Sequence, residues 1–169
     1  WLDGQAHACA CEPGHMGLSP ATPLELELFA HLLRRHGDIY AELLVSGPGL
    51  VRLHRALGEI DGKATSALEP AEISRLAQAG EDHQCALALS CFCALLGSAC
   101  GDFVLANGAY GGLYLAGGIV PQMLPFLQAS SFHQRFRDKG AMREHLTAVP
   151  IYAITTAQPG LVGAAHAPL

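Results

Sequence analysis

The sequence has few charged residues, and fewer than half of them are basic. Asp, Glu, Lys and Arg make up 15% of the 169 residues, and 10 Lys and Arg against 15 Asp and Glu give a formal net charge of −5. No basic stripe is available to neutralise phosphates, which argues against a nucleic-acid partner. Because half of the residues are apolar, the composition disfavours disorder and favours a folded domain.

The common spacings of metal ligands are also missing. The six cysteines include no CxxC pair, and the nine histidines form neither HxH nor HExxH. These absences argue against a structural zinc site and against a catalytic metal site. Four of the cysteines, Cys85, Cys91, Cys93 and Cys100, fall in one apolar segment. We interpret them as reduced, buried thiols of a cytoplasmic protein.

One long segment, residues 84–101, carries no charge. Its eighteen positions reach the length of a membrane span. However, no Lys or Arg flanks the segment to set an orientation, and acidic residues lie at both ends. We therefore predict a buried helix of a soluble domain rather than a membrane span. No signal peptide is visible, and the start at Trp1 instead of Met suggests a piece of a longer protein.

The pattern of helix and strand signals predicts a layered α/β or α+β domain. Pro23 begins a helix that Thr22 caps, with Glu25 completing a capping box and Gly37 ending the helix. Further helices are predicted from Pro48, from Pro70, over residues 81–106, near Pro121, over residues 131–146 and from Pro159. Strands are predicted over residues 1–10 and, as buried strands, in "GGLYLAGGIVP" and "AVPIYAITT".

The stretch "ACEPGHMG" places Glu12 and His15 three residues apart on a tight turn. Pro13 fixes one backbone dihedral and Gly14 tolerates almost any, so the turn can aim both side chains into one space. A carboxylate accepts hydrogen bonds, and a neutral imidazole donates one and accepts another. Together they suit neighbouring hydroxyls of a polyol, although a solvated turn without function has the same spacing.

Two further features are candidates for binding. Glu42 lies among apolar neighbours in "YAELLVSG", where it either serves a ligand or faces water on one turn of amphipathic helix, because burying an unpaired carboxylate is costly. Gly117 and Gly118 follow an apolar strand and precede a helix. Such glycines let a flat ligand or a phosphate approach the backbone, but any tight strand-to-helix turn can use them as well.

Several segments, taken in chain order, resemble one known family. They are "EPGH", "AELLVSGPGLVRLHRA", "LYLAGGIVP", "FRDKG", "VPIYAI" and "QPGLVGAAH". The sequence resembles the C-terminal lobe of bacterial-type glucokinases, within the sugar-kinase and actin-like ATPase superfamily. The resemblance implies a single domain over residues 1–169. It also implies an α/β lobe of ribonuclease H-like, actin-like ATPase fold, with a mixed sheet packed between helices.

The resemblance further implies roles for particular residues. Glu12, His15 and Glu42 would hydrogen-bond the hydroxyls of glucose, and Gly117 and Gly118 would border an adenine-ribose pocket. ATP with Mg²⁺ would be the phosphoryl donor, the partners would be small molecules and a second copy in a homodimer, and no membrane partner is implied. The preferred hexose, and the choice between ATP and polyphosphate, stay open.

The family's catalytic motifs do not occur in the sequence. These motifs are a D-x-G-G-T phosphate loop, a second G-T-G-x-G loop and an Asn-Asp pair whose Asp is the catalytic base, so no catalytic residue is expected here. The resemblance implies that a parent protein phosphorylates glucose while this chain alone has little or no kinase activity. Two alternatives remain: a non-catalytic, sugar-binding regulatory module related to sugar-kinase-like repressors, and a fold whose turns bind no ligand.

Overall fold

The structure, a computed structural model, describes residues 10–166. The strand predicted over residues 1–10 therefore lies outside the described residues, apart from Ala10. The helices are α1 (Pro23–His36), α2 (Ala41–Leu44), α3 (Gly47–Ile60), α4 (Pro70–Ala79), α5 (His83–Asn107), α6 (Ile119–Gln122), α7 (Leu124–Ala129), α8 (Phe132–Arg137), α9 (Arg143–Thr147) and α10 (Pro159–Ala165). The strands are β1 (Leu113–Leu115) and β2 (Ile151–Ala153).

Local signals correctly located the start and end of α1. The Thr22 hydroxyl accepts a hydrogen bond from the Glu25 backbone N–H at 3.2 Å, and Gly37 ends the helix with a φ of 76° in the left-handed region. The expected return bond of the capping box is displaced by one residue, because the Glu25 carboxylate accepts from the Ala21 N–H at 2.7 Å instead. The first contact satisfies a backbone donor that the helix start leaves free, and the second holds the residue before the cap against the first turn.

The apolar segment forms the core helix α5, as predicted. With 25 residues and an 18-residue window of mean hydropathy 1.8, α5 is long and apolar enough to cross a membrane by length and composition. However, 72% of that window is buried inside the fold, where α5 packs against α3, α4 and α8. Burial on several sides explains why the helix is apolar around most of its circumference.

Two glycines of α5 allow α8 to lie close to it. A Cβ atom added to Gly97 would overlap the backbone carbonyl of Phe132, and one added to Gly101 would overlap that of Phe136. Phe132 and Phe136 are themselves almost fully buried. Any larger residue at these two positions would push α8 away from the core, which explains glycine inside a long helix despite its helix-destabilising entropy.

The two predicted buried strands are short, and they are only partly buried. β1 and β2 pair in parallel, with Leu113 opposite Ile151. Tyr114 and Tyr152 are 64% and 50% exposed, and their rings stack with centroids 5.1 Å apart. Alternate side chains of a strand point to opposite faces, and no helix of residues 10–166 covers the tyrosine face enough to bury it. Within that range the sheet consists of these two parallel strands, rather than the mixed sheet that was expected.

The helix predicted over residues 131–146 is interrupted. α8 ends at Arg137, a single 3₁₀ turn spans Gly140–Met142, and α9 follows. Gly140 has a φ of 55°, which breaks the helix. Just before it, the Lys139 ammonium lies 2.7 Å from the Asp102 carboxylate of α5. A tertiary contact thus holds the break in place, and the helical periodicity of the segment does not reveal it.

A buried ion pair connects the start of α1 to α8. The Arg135 guanidinium donates to both carboxylate oxygens of Glu25, at 2.7 and 3.1 Å. The side chains are 9% and 3% exposed, respectively. The bidentate geometry is the strong form of this interaction. Sequence reasoning identified Glu25 only as a capping residue, because its partner lies 110 positions further along the chain.

The buried thiols predict a loss of stability at alkaline pH. Burial raises the pKa of Cys91 to about 11 and those of Cys93 and Cys100 to about 12, whereas an exposed thiol has a pKa of about 8.5. The unfolded chain therefore releases thiol protons first as the pH rises. The resulting stability is fully present below about pH 8.5 and is lost between there and the folded pKa values.

We expect the free energy of unfolding to fall by about 1–2 kcal/mol per buried thiol between pH 8 and pH 10. Urea denaturation at pH 8, 9 and 10 measures this fall. Cys93→Ala is the control, because it removes one titrating thiol and should make the fall smaller by about 1–2 kcal/mol. An identical pH dependence in the variant and the wild type would contradict the prediction.

Candidate functional site

The turn that carries Glu12 and His15 is fixed against the start of α2. The residues Pro13–His15 form one 3₁₀ turn, in which the His15 N–H donates to the Glu12 carbonyl at 3.1 Å. After the turn, Gly17 forms an antiparallel bridge with Tyr40. Within this bridge the Ala41 N–H donates to the Met16 carbonyl at 2.9 Å. The turn and the first residues of α2 therefore form one rigid corner.

The structure brings His15 and Glu42 together. His15 Nδ1 lies 4.0 Å from Glu42 Oε2, and the side chains are 63% and 62% exposed. The His15 imidazole stacks on the Tyr40 ring with centroids 5.2 Å apart and planes within 10°. A Cβ atom added to Gly14 would lie 3.2 Å from Glu42 Oε2, so the glycine leaves room for this carboxylate.

The spacing of this pair leaves its polar atoms available. A separation of 4.0 Å exceeds the length of a direct hydrogen bond, so His15 and Glu42 do not satisfy one another. Glu12 immediately precedes the turn and is exposed; its side chain makes no hydrogen bond within residues 10–166. Both sequence interpretations of Glu42 agree with its place on the single turn α2, where Glu42 is exposed and the other three residues are buried.

A second site is a hollow of about 350 Å³ between three elements. Its lining includes Gly47 at the start of α3, Pro70 at the start of α4, Gly118 in the turn after β1 and Ile119 at the start of α6. The volume lies within the range of about 300–1,000 Å³ that is typical of small-molecule pockets. A Cβ atom added to Gly118 would meet nothing within 4 Å, so this glycine borders open space.

Gly117 is needed for the turn itself, because its φ of 108° is strained for other residues. Of the two glycines, the structure places only Gly118 in the lining of the hollow.

The Ser46 hydroxyl caps α3 by accepting from the Gly49 N–H at 3.0 Å. A Cβ atom at Gly49 would overlap the backbone of Leu44, so α2 and α3 meet at a sharp corner.

The junction of α2 and α3 limits the distance between the His15–Glu42 pair and the hollow beside Gly118. Glu42 and Gly47 are five positions apart, so their Cα atoms lie at most about 17 Å from one another. One short piece of chain, "AELLVSGPG", thus contributes both to the carboxylate–imidazole pair and to the hollow. Two different ligands bound at these sites would lie near each other.

A larger hollow, of about 480 Å³, lies between α1 and α3 and was not anticipated from the sequence. Three arginines line it, Arg35, Arg52 and Arg55. Arg35 donates to Glu59 at 3.1 Å and Arg52 donates to the Leu43 carbonyl at 3.0 Å. Because protein groups already engage two of the three, and no predicted site residue is present, this hollow is not assigned to the candidate site.

Comparison with known proteins identifies a match along almost the whole chain. A family model described as Glucokinase matches residues 1–168. A glucokinase of Chromobacterium violaceum is 46% identical over 164 residues, which cover 96% of this chain and 47% of that protein. A glucokinase of Psychromonas ingrahamii is 45% identical over 153 residues, which cover 90% of this chain and 48% of that protein.

Solved structures give the same result. The crystal structure of a glucokinase from an Antarctic psychrotroph superposes with a TM-score of 0.86 at 40% identity, over 92% of this chain and 48% of that one. A glucokinase from Balamuthia mandrillaris, solved in complex with glucose, has a TM-score of 0.83 at 20% identity, which supports the fold alone. The chain spans about half the length of the curated relatives it matches.

Proposed function

Because the chain belongs to the glucokinase family, we propose that it is the sugar- and nucleotide-binding lobe of an ATP-dependent glucose kinase. In that reaction the bond between the γ-phosphorus and its bridging oxygen breaks, and a bond to the 6-oxygen of glucose forms. The hydroxyl proton passes to a base, which we assign to a part of the protein beyond this chain. The comparisons do not favour the alternative of a regulatory module.

We assign the sugar to the corner formed by Glu12, His15 and Glu42. The observation that carries this assignment is the exposed pair His15 and Glu42, held 4.0 Å apart on two backbone segments that are bridged to each other. The Glu42 carboxylate would accept from sugar hydroxyls, and the imidazole stacked on Tyr40 would donate to or accept from a neighbouring hydroxyl. Once closure of the full protein over the sugar shields these polar groups from water, they would reject a sugar that lacks the matching hydroxyl, because they would be left unpaired.

We assign the adenosine of ATP to the hollow beside Gly118, with Gly117 shaping its turn. The open space at Gly118 and the size of the hollow support the assignment. Mg²⁺ would accompany the phosphates, but it prefers carboxylate and phosphate oxygens, and Glu69 is the one carboxylate of the lining within residues 10–166. The residues described here do not form a Mg²⁺ site, and no step is assigned to the ion.

The remaining features of the proposal concern fold and setting. The parallel pair β1 and β2 between helices supports an assignment to the C-terminal lobe of a ribonuclease H-like, actin-like ATPase fold.

Free, buried thiols, among them Cys85 and Cys93, support a location in the reducing cytoplasm. The exposed side chains of Tyr114, Tyr152 and Leu161 support a homodimer. A net charge of −5 supports small-molecule partners rather than nucleic acid, and we propose no membrane partner.

Calorimetric titration of glucose into the chain tests this proposal. We expect weak binding, because one lobe alone cannot close over the sugar. Glu42→Gln should weaken it by roughly 10- to 100-fold, since a hydrogen bond to a charged group is worth about 1.5–3 kcal/mol.

Glu27→Gln is the matched control, because it removes one exposed carboxylate of α1 and should leave the affinity unchanged. Equal affinities for the wild type and Glu42→Gln would contradict the assignment of the sugar site. No binding by the wild type up to roughly 100 mM glucose would contradict it as well.

A further inference from the structure

Three side chains that can bind metal ions meet where α3 packs against the start of α5. His54, Asp82 and Cys85 each offer one ligand atom, and these atoms all lie within 4.8 Å of one another. His54 is 5% exposed and Cys85 is fully buried, while Asp82 is half-buried at the surface end of the cluster. None of the three belongs to the proposed sugar or nucleotide site.

The groups of this cluster have capacity left for a ligand. Asp82 caps α5, with Oδ1 accepting from the Cys85 N–H at 2.7 Å, but a carboxylate has lone pairs for further partners. The His54 carbonyl accepts from Gln84 Nε2 at 2.8 Å, which fixes α3 against α5 without using the imidazole.

We propose that His54, Asp82 and Cys85 bind one Zn²⁺ ion, with a water molecule as the fourth ligand, and that the ion ties α3 to the start of α5. Imidazole nitrogen, carboxylate oxygen and thiolate sulfur are the donors of zinc sites in proteins. On binding, the Cys85 S–H bond breaks, the proton passes to solvent and a sulfur–zinc bond forms. Zinc–ligand bonds of about 2.0–2.3 Å require the ligand atoms to lie about 3.3–3.6 Å from one another. Rotation of the half-buried Asp82 side chain would provide part of this approach.

The donor set selects zinc over the hard cations of a kinase. Mg²⁺ and Ca²⁺ take oxygen ligands, whereas a buried thiolate and an imidazole favour borderline and softer ions. The proposal departs from the expectation of no metal site, because the spacing of residues 54, 82 and 85 matches none of the usual ligand motifs. The zinc proposal does not depend on the proposed kinase function, because none of the three ligands is a residue of the proposed glucose or ATP site.

Cobalt substitution tests this site directly. Cys9→Ser with Cys11→Ser provides the background, because it removes the two cysteines that precede the cluster in the sequence. We expect one Zn²⁺ or Co²⁺ per chain, a thiolate-to-cobalt charge-transfer absorption with Co²⁺, and a Tm raised by roughly 5 °C with excess Zn²⁺.

In that background, Cys85→Ser should abolish the charge-transfer absorption and weaken Zn²⁺ binding by more than about 100-fold, since even outer-shell changes cost about 10–100-fold. Asp82→Ser, which retains a helix-capping hydroxyl, should also weaken binding. Cys100→Ser is the control for loss of an equally buried thiol and should retain the absorption. Absence of the absorption in the background protein, or its persistence in Cys85→Ser, would overturn the proposal.

Discussion

Arg135→Met is expected to lower the free energy of unfolding by about 3–5 kcal/mol, the usual cost of breaking a buried ion pair. Among residues 10–166, the substitution leaves the Glu25 carboxylate, 3% exposed, with only the Ala21 N–H as a partner. An uncompensated buried charge is the main source of the loss, since methionine fills much of the space of the arginine stem. Urea denaturation at neutral pH measures the difference.

Two variants separate this explanation from a simple loss of positive charge. Arg34→Met removes an exposed arginine of α1 and should change the stability by less than about 0.5 kcal/mol. Glu25→Gln combined with Arg135→Met removes the orphaned charge and should recover part of the loss. If Arg135→Met were no more destabilising than Arg34→Met, the pair would contribute nothing to folding and the prediction would be wrong.

The chain alone is expected to phosphorylate glucose at least roughly 10⁴-fold more slowly than a full-length enzyme of the family. General-base catalysis contributes about 10²–10⁴-fold, and donors that stabilise developing charge contribute about 10²–10³-fold each. The sequence has neither the Asn-Asp pair nor the D-x-G-G-T loop that supply these groups in the family. A coupled assay that requires both ATP and glucose measures the rate.

Glucose binding by the same preparation, measured calorimetrically, is the control that shows the sugar site to be folded. Turnover within tenfold of a full-length relative would contradict this prediction, because the chain would then contain its own base and phosphate site. Turnover that disappears in Glu42→Gln would locate such activity at the proposed sugar corner.

The helices that the sequence predicted well are those with strong local signals. α1, α3 and α4 begin at or beside Pro23, Pro48 and Pro70, where a proline fits the first turn without losing a hydrogen bond. α5 was predicted from its uninterrupted apolar composition, and the structure adds that Asp82 caps its start. For α1, α3 and α4 the information lies within a few residues of the helix end.

The incorrect predictions concern tertiary contacts. The burial of β1 and β2 was overestimated because a short apolar segment does not show which face is covered, and the exposed tyrosines lie on the uncovered face. The break between α8 and α9 occurs at Gly140 and is held in place by the contact of Lys139 with Asp102 of α5. Neither the arrangement of a neighbouring element nor a contact to it can be read from local periodicity.

The candidate site shows the same division. The tight turn at Pro13 and Gly14 made Glu12 and His15 candidates, and the apolar neighbours of Glu42 made that residue a candidate. The family motifs then implied that these residues bind a sugar. The stacking of His15 on Tyr40 was not foreseen, because it depends on the bridge between Gly17 and Tyr40. The His54, Asp82 and Cys85 cluster was missed for a similar reason, since its members meet only after α3 and α5 pack.

The sugar corner is tested most directly by a heteronuclear NMR titration of the chain with glucose, a method suited to weak binding. The account predicts that the ring signals of His15 and Tyr40 shift together and saturate with one dissociation constant. The ring signals of His31, whose Nε2 lies 2.7 Å from Glu59 Oε2 of α3 and which is no part of the proposed sugar site, should stay in place. Unchanged His15 and Tyr40 signals at saturating glucose, or shifts confined to other residues, would contradict the account.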